Sequence, residues 1–351
     1  MATLVTKSIG SGGGRDYSTI ALWEDATDID LVATDQIQQG ELYNDSEFSL
    51  SAEVVFAGST VDSTRYRVLT TAAGQSFMDD ANQTTNPLRY DQSKGVGIKG
   101  IGNYFGGTLS VQEAWFRMSK IQMQRSGGWY AIYSYPAGGQ QYLNMLIECT
   151  STGQNIFHIE TLDNGKAVNC VVIDRTTNGV RALQVQYAFA TSGIFNCTVV
   201  RPSDKTTGGI GIIFNSGGNV KIKNCAVFGF TTNFSGTAAS GSGYNATDSV
   251  TAPGSNNQTS LTYASQFQAV TDASRDYRAV DTGSLDLNGT RDQTDTNDLD
   301  IVGQSRSITT PTIGCWELVA AVAAVTPPRV MRLFEGFKIK LISGRLKIQQ
   351  K

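Results

Sequence analysis

Histidine is almost absent from this chain of 351 residues, and its cysteines include no Cys-x-x-Cys pair. Both absences argue against a zinc site, whose ligands are mostly cysteines and histidines at short spacings. Asp292, Asp295, Asp298 and Asp300 lack the spacing of a calcium loop and are predicted to be solvated turn acids. We therefore predict no metal ion and no cofactor. The single histidine, His158, has no recognisable partner motif and is predicted to lie at the surface or in a turn.

Charge and long apolar runs are also scarce. Charged residues make up 17% of the chain, and no stretch approaches the roughly 20 apolar residues of a membrane span. The first residues have no apolar core of the kind that a signal peptide needs. We expect synthesis in a cytoplasm without a secretion signal, and no membrane span. The 37 glycines, with abundant serine, threonine and asparagine, are typical of many tight turns and argue against a helical protein.

The chain does contain a repeated segment of the form apolar-x-Asn-Cys-x-Val. It occurs at 167–172, 194–199 and 222–227, and a fainter copy lies at 146–149. The cysteines of these copies are 21, 27 and 28 residues apart (170 − 149, 197 − 170 and 225 − 197). Recurrence at 20 to 30 residues is the signature of a solenoid. Because the segments are rich in Val, Ile and Phe, we predict an all-β parallel β-helix.

The asparagine of each copy is predicted to form a corner of the solenoid. In the last copy the apolar alternation slips by one residue across Lys223 and Asn224, which requires a bend in the backbone. Asparagine tolerates the left-handed conformation of such a bend. The predicted corner residues are Asn169, Asn196 and Asn224. The cysteines predicted to stack beside them as small buried side chains are Cys149, Cys170, Cys197 and Cys225.

The cysteines are predicted to be reduced. There are five of them, an odd number, and four are assigned to equivalent repeat positions; the fifth is Cys315. A disulfide framework would favour an even number of cysteines at other spacings. Buried free thiols agree with synthesis in a cytoplasm.

Four segments are predicted along the chain, and the last of them, residues 329–351, is described in the next paragraph. Residues 1–60 form an N-terminal cap and the first strands, with a short amphipathic helix capped by Ser18. Residues 61–318 form the β-helix and its closing segment, and residues 319–328 form a linker. A cap is expected because an open solenoid end would expose unpaired strand edges and apolar core.

Residues 329–351 differ from the rest in charge. They carry seven basic residues and one acidic residue, a net charge of +6 (7 − 1), whereas the remainder carries −9 (21 − 30). Alternating apolar and basic residues on both sides of a Ser-Gly turn predict a β-hairpin, which is marginal in water unless it packs on a surface. That surface is either its own solenoid or another subunit. We predict no binding to nucleic acid or membrane, because the acidic body would oppose it. The predicted partner-binding residues are Arg329, Arg332, Phe334, Phe337, Lys338, Ile339, Lys340, Leu341, Arg345, Leu346, Lys347 and Ile348.

No catalytic site is predicted. No motif places two carboxylates on one face of adjacent coils, which hydrolysis of a glycosidic bond would require. The residues that could still take part in catalysis are Asp174, Arg175, Glu148 and Glu160. The alternative for Asp174 and Arg175, which follow a predicted strand, is a loop ion pair or a solvated turn.

Aromatic residues cluster in one loop-rich region, at Trp129, Tyr130, Tyr133, Tyr135 and Tyr142. Exposed aromatic rings stack on sugar rings or anchor protein interfaces, so the first four are candidates for glycan binding. The alternative is that the rings only cover one side of the solenoid.

Several stretches resemble right-handed parallel β-helix proteins that are encoded by tailed phages and prophages. The opening part of the resemblance covers residues 6–24, 30–37 and 40–43, and the closing part covers 276–286, 298–306 and 313–317. It extends over about residues 6 to 318 and departs from the family at 285–289, which reads Leu-Asp-Leu-Asn-Gly where members typically have Ala-Ile-Asp-Ala-Gly. The resemblance implies a pectate-lyase-like solenoid fold and a phage origin, and it implies no particular chemistry.

From this resemblance we expect a non-enzymatic structural protein of the virion: a capsid decoration, fibre or tail accessory protein. From the apolar and basic pattern of residues 329–351 we expect it to be anchored through its C-terminus. Its partners would be other virion proteins and copies of itself, including a trimer. The alternative is a tailspike-type receptor-binding protein that binds or cleaves a host surface polysaccharide, as a lyase or a glycoside hydrolase. An acidic pair facing one groove of the solenoid would favour that alternative.

Overall fold

The structure, a computed structural model, describes residues 1–79, 86–101, 106–153, 155–161, 164–186, 192–215, 220–291, 299–318, 337–342 and 345–350. The chain divides into two compact units, Met1–Leu318 and Val319–Lys351. Among the described residues, no helix has the length and apolar character that crossing a membrane requires.

Three parallel sheets form a β-solenoid of about seven turns, which confirms the predicted parallel β-helix. Sheet 1 consists of β1 (Thr3–Ile9), β2 (Gln36–Leu42), β5 (Arg67–Thr71), β8 (Arg117–Ser119), β11 (Gln141–Leu143), β14 (Lys166–Val168), β17 (Gly193–Phe195) and β20 (Lys221–Lys223). Sheet 2 consists of β3 (Phe48–Leu50), β6 (Gly97–Gly100), β9 (Gln122–Arg125), β12 (Leu146–Cys149), β15 (Val171–Asp174), β18 (Thr198–Val200), β21 (Ala226–Phe228) and β23 (Ala246–Thr247). Sheet 3 consists of β4 (Val54–Phe56), β7 (Gly107–Val111), β10 (Tyr130–Ala137), β13 (Asn155–Thr161), β16 (Arg181–Gln186), β19 (Gly208–Asn215) and β22 (Phe230–Gly236).

The remaining elements are short. They are the helices α1 (Ile20–Ala26) and α2 (Leu31–Thr34), 3-10 turns at Gln92–Lys94 and Tyr263–Ser265, and two antiparallel pairs, β24 (Phe267–Ala269) with β25 (Asp276–Ala279) and β26 (Phe337–Ile342) with β27 (Arg345–Gln350).

Asparagine corners join sheet 1 to sheet 2, as predicted. Asn169, Asn196 and Asn224 have left-handed φ angles of 53°, 52° and 55°. Their side chains also bridge neighbouring coils: the Asn224 amide donates to Oδ1 of Asn196 over 3.1 Å, and the Asn169 amide donates to Oδ1 of Asn144 over the same distance. The asparagines therefore supply both the bend in the backbone and a hydrogen bond between coils.

The prediction that Cys149 is the first member of the cysteine stack is wrong. All five cysteines are free and buried, and Cys170, Cys197 and Cys225 each follow a corner asparagine. Cys149, however, lies at the end of β12, where the register pairs it with Asp174. The residue that follows the corner Asn144 is Met145. The prediction aligned the fainter copy on its cysteine, whereas the fold aligns the coils on the asparagine.

Helix α1 covers the N-terminal end of the solenoid. Its N-cap is Thr19 instead of the predicted Ser18, because Oγ1 of Thr19 accepts a hydrogen bond from the Leu22 amide over 3.2 Å. Ile20 and Trp23 are fully buried in the solenoid core, and the Trp23 ring lies edge-on to Phe56 with 6.3 Å between centroids. The helix thus protects apolar core that an open end would expose.

From β12 to β23, sheet 2 is buried on both faces. Its inner face belongs to the solenoid core, and its outer face packs under the closing segment in a second apolar cluster. The strand residues in that cluster include Leu146, Val171, Ile173, Val200 and Phe228, and the covering residues include Phe267, Val270, Tyr277, Leu285 and Ile313. This leaves the outer faces of sheets 1 and 3 as the long lateral surfaces of this unit.

The second unit contains the predicted C-terminal hairpin. In its register Ile339 pairs with Ile348, Lys340 with Lys347, and Leu341 with Leu346. Because successive residues of a strand alternate between faces, the apolar pairs share one face and the lysine pair lies on the other. Three of the predicted partner-binding residues, Arg329, Arg332 and Phe334, lie outside the described residues.

Candidate functional site

A row of aromatic rings lies on the outer face of sheet 3. Tyr130, Tyr133 and Tyr135 belong to β10, so the cluster is on a strand and not in the predicted loop-rich region. The rings of Tyr130 and Tyr133 stack with 4.7 Å between centroids, and Tyr135 meets Tyr133 edge-on at 4.5 Å. Trp129, just before the strand, lies edge-on to Tyr130 at 6.3 Å. The four candidate glycan-binding residues therefore form one continuous cluster.

Tyr142 does not belong to this cluster. It lies on β11 in sheet 1 and is fully buried, with its ring edge-on to Phe157 at 4.9 Å. Its grouping with the other aromatic residues was wrong because proximity in sequence does not specify which sheet a residue joins.

His158 lies under the aromatic rings instead of in a turn or at the surface. It sits on β13 in direct register with Tyr133 and is only 4% exposed. Its ring centroid is 5.4 Å from that of Tyr130 and 5.1 Å from that of Tyr133. Burial lowers the pKa of His158 to about 4, so the imidazole is neutral at physiological pH.

Polar side chains of two neighbouring strands extend the cluster. The Asn155 amide donates to Oε1 of Gln184 over 2.8 Å, and the Gln184 amide donates to Oε1 of Gln186 over 2.7 Å. Oδ1 of Asn155 is buried and has no hydrogen-bond partner among the described residues. A surface with aromatic rings beside amide and carboxylate groups offers both stacking and hydrogen bonds to a ligand rich in hydroxyl groups.

Glu160 is the acidic member of this surface. The hydroxyl of Tyr133 donates a hydrogen bond to its carboxylate, and Oε1 of Glu160 lies 3.5 Å from Nε2 of His158. Burial raises the pKa of Glu160, and burial together with the Glu160 charge raises the pKa of Tyr133. Among the four residues considered for catalysis, Glu160 alone lies on the outer face of sheet 3.

Glu148 and Arg175 have structural partners under the closing segment. Glu148 is fully buried, accepts a hydrogen bond from the Tyr90 amide over 2.8 Å and pairs with Arg275 at 3.0 Å. Arg175 bridges Glu148, at 3.2 Å, and Asp272. The Glu148 carboxylate thus fastens the closing segment to sheet 2 and does not face a groove.

Asp174 forms a buried ion pair with Arg201. The two side chains are fully buried, and the Nη1–Oδ2 distance is 2.8 Å. Asp174 also accepts hydrogen bonds from the amides of Thr176 and Val180 at the turn that follows β15. Asp174 and Arg175 are both ion-paired, as one of the two predicted alternatives had it, but Asp174 pairs with Arg201 of the next coil and is buried, so a solvated turn is wrong.

No group of three or more histidine, cysteine, aspartate or glutamate side chains that could hold a metal ion occurs within the described ranges. Asp300 is buried rather than a solvated turn acid, and it accepts hydrogen bonds from the amides of Val302, Gln304 and Glu317. The other three predicted turn acids, Asp292, Asp295 and Asp298, lie outside the described residues.

The outer face of sheet 1 carries an open polar cavity of about 340 Å³. Side chains of Glu41, Thr70, Asp79, Ser119 and Lys120 line it. It has no aromatic lining residue, so it offers no platform for a sugar ring.

Two carboxylates, those of Glu160 and Glu53, belong to the described part of the sheet 3 face. Within the described part of this face, the nearest carboxylate to Glu160 along the stack is that of Glu53, which precedes β4. The carboxylate of Glu53 accepts a hydrogen bond from Ser110 of β7, which lies two strands from β13, a separation of about 10 Å at the usual interstrand spacing. Paired catalytic carboxylates stand at roughly 5 to 10 Å. Glu53 and Glu160 therefore stand at about the upper end of that range.

No protein-family model matches the chain, and searches of curated proteins and of solved structures found no significant match.

Proposed function

We propose that this chain is a non-enzymatic structural protein of a phage particle, and that the outer face of sheet 3 binds a host surface polysaccharide. The observation that carries the binding role is the aromatic cluster of Trp129, Tyr130, Tyr133 and Tyr135 above the neutral His158. The phage origin rests on the sequence resemblance described above.

The cluster offers two kinds of interaction to a sugar. The partly exposed rings of Tyr133 and Tyr135, the first of them supported by the buried ring of Tyr130, offer apolar surface to the C–H groups of a pyranose ring. Gln186 and Glu160, both only partly buried, lie on the adjacent strands and can accept hydrogen bonds from sugar hydroxyls. A β-strand face repeats such groups about every 4.8 Å, which suits an extended chain of sugars.

Several features favour binding over cleavage. The aromatic cluster contacts one carboxylate, Glu160, whereas that of Glu53 is held by Ser110 two strands away. His158 cannot act as a general base from its present position, because Nε2 is buried beneath the tyrosine rings.

The C-terminal hairpin supports attachment to the particle. Its register puts Ile339, Ile348, Leu341 and Leu346 on one face, and an isolated two-stranded hairpin with such a face is marginal in water. We propose that this face packs on another virion subunit of the capsid or tail. Assembly of the chain with copies of itself, as a trimer or otherwise, is part of the same proposal.

Replacing Tyr133 with alanine is expected to weaken polysaccharide binding by about tenfold or more, because it removes the central ring of the stack and the hydrogen bond to Glu160. Replacing it with phenylalanine keeps the ring and should cost only a few-fold. The measurement is a glycan-array screen of the full chain, followed by calorimetric titration with the polysaccharides that bind.

The matched control is Tyr66→Ala, which removes a tyrosine that packs against Arg117 on sheet 1. It should bind like the unmodified chain. Unchanged binding by Tyr133→Ala, or the absence of any bound glycan, would overturn the proposed binding role.

Deleting residues 329–351 should leave the solenoid folded and abolish incorporation into particles. The reason for the first expectation is that Met1–Leu318 is a compact unit with its own core. Thermal melting of the purified truncated chain and its copy number in purified particles would measure the two effects. A chain whose tail is replaced by an unrelated polar segment of equal length serves as control, and normal incorporation of either variant would refute the anchoring role.

A further inference from the structure

Arg181 is an exposed cation without a partner at the edge of the aromatic cluster. It begins β16 and pairs in register with Asn155 of β13. Across the part of the chain that the structure describes, its guanidinium has no hydrogen bond and no ion pair. Arg175 and Arg201 differ from it, since both are tied to carboxylates. Its guanidinium is therefore available to a ligand.

Arg181 lies on the same sheet face as the tyrosines of the cluster, and its charge acts on them. Strand β16 is two strands from β10, a separation of about 10 Å at the usual interstrand spacing. Burial raises the pKa of Tyr130, and the negative charge of Glu160 adds to this rise. The positive charge of Arg181 lowers the same pKa, so the guanidinium acts electrostatically on the tyrosine stack. Across the strands Tyr133 is in line with His158 and Gln184, and Arg181 lies three residues before Gln184, so a sugar chain that stacks on Tyr133 would reach Arg181 by running diagonally across the strands.

We propose that the polysaccharide bound by sheet 3 is acidic, with sugar carboxylates of the uronic or sialic type, and that Arg181 pairs with one carboxylate while a neighbouring sugar stacks on Tyr133. This inference rests on the proposed binding role of sheet 3. A guanidinium matches a carboxylate with two parallel hydrogen bonds, which a hydroxyl of a neutral sugar cannot offer. The chain body carries a net charge of −9 outside residues 329–351 (21 − 30), so an anionic ligand requires such a local cation to bind here.

The test compares acidic polysaccharides with their own carboxyl-reduced forms. The probes are polygalacturonate, alginate, hyaluronan and polysialic acid, each beside its carboxyl-reduced polymer, which keeps the linkage and removes the charge. Binding to the full chain is measured by calorimetry at low and high salt. The variants are Arg181→Gln, Arg181→Lys and, as control, Arg117→Gln, whose guanidinium lies over the Tyr66 ring on sheet 1.

We expect the unmodified chain to bind at least one acidic polymer about tenfold more tightly than its reduced form, with the preference falling as salt rises. Arg181→Gln should lose the preference and bind both forms like the reduced polymer, Arg181→Lys should keep part of it, and Arg117→Gln should keep all of it. Tyr133→Ala should weaken binding of both forms.

Other outcomes separate the two proposals. Equal binding of the acidic and reduced forms, a preference that survives in Arg181→Gln, or binding of neutral polymers alone would overturn the inference and leave the binding role of sheet 3 standing. Sulfated or phosphorylated glycans bound in preference to carboxylated ones would also overturn it. If no glycan binds the unmodified chain, both proposals fail.

Discussion

Replacing Ile222 with aspartate is expected to unfold the solenoid. Ile222 lies on β20 in sheet 1, is fully buried in the solenoid core and pairs in register with Ile194. The substitution removes buried apolar area and places an unpaired carboxylate in the core, which together cost on the order of 5 kcal/mol or more. Since whole domains are stable by only about 5 to 15 kcal/mol, most of the folded state should be lost.

Urea unfolding followed by circular dichroism would measure this effect. The matched control is Thr231→Asp, which adds the same carboxylate at an exposed position of β22 and should leave the transition midpoint nearly unchanged. Melting of Ile222→Asp like the unmodified chain would show that the assigned inward face of the coils is wrong.

Replacing Asp174 with asparagine should lower the free energy of unfolding by about 3 to 5 kcal/mol, because it leaves the buried guanidinium of Arg201 without its counter-charge. Asparagine keeps the size of the side chain and an oxygen that can accept from the Thr176 amide, so the loss would report the charge. The remaining acceptors of Arg201 are backbone carbonyls of Thr176, Thr177 and Thr206, which are neutral.

Equilibrium urea unfolding of three variants would test this expectation. The double variant Asp174→Asn with Arg201→Met removes both charges and should recover part of the lost stability. The control Asp16→Asn removes an exposed pair with Lys7 and should leave the midpoint nearly unchanged. A loss below about 1 kcal/mol for Asp174→Asn would indicate a solvated turn instead of a buried pair.

The coil register could be predicted where the local backbone determines it. A left-handed corner needs a residue that tolerates positive φ, and asparagine does so at Asn169, Asn196 and Asn224. Lys120 and Tyr244 also adopt positive φ, at 64° and 56°, although neither residue type signals a corner. Tertiary pairing with adjacent coils overrides local preference at these two positions, and sequence patterns do not report it.

The covering of sheet 2 could not be predicted from the repeats. The outer face of sheet 2 is apolar, but the inner face of every coil is apolar too, so the pattern does not show which face is covered. The covering residues, such as Phe267 and Ile313, come from far along the chain. Consequently Glu148 seemed available for catalysis, whereas its partner Arg275 lies 127 residues away. Long-range ion pairs of this kind depend on the tertiary fold and leave no local signal.

The candidate site was only partly visible in the sequence. The aromatic residues Trp129, Tyr130, Tyr133 and Tyr135 were identified by type, and the alternation of Tyr133 and Tyr135 with Ile132 is a strand pattern that could have placed them on a sheet face. His158 was missed because its burial depends on in-register stacking with Tyr133, 25 residues earlier (158 − 133).

The binding role of sheet 3 is the central claim, and a crystal structure of the full chain with an oligosaccharide of the tightest-binding polymer tests it most directly. The account predicts a sugar ring against Tyr133 and Tyr135, with hydroxyls near Glu160 and Gln186. A ligand bound only in the polar cavity on sheet 1, or anywhere else away from sheet 3, would contradict it.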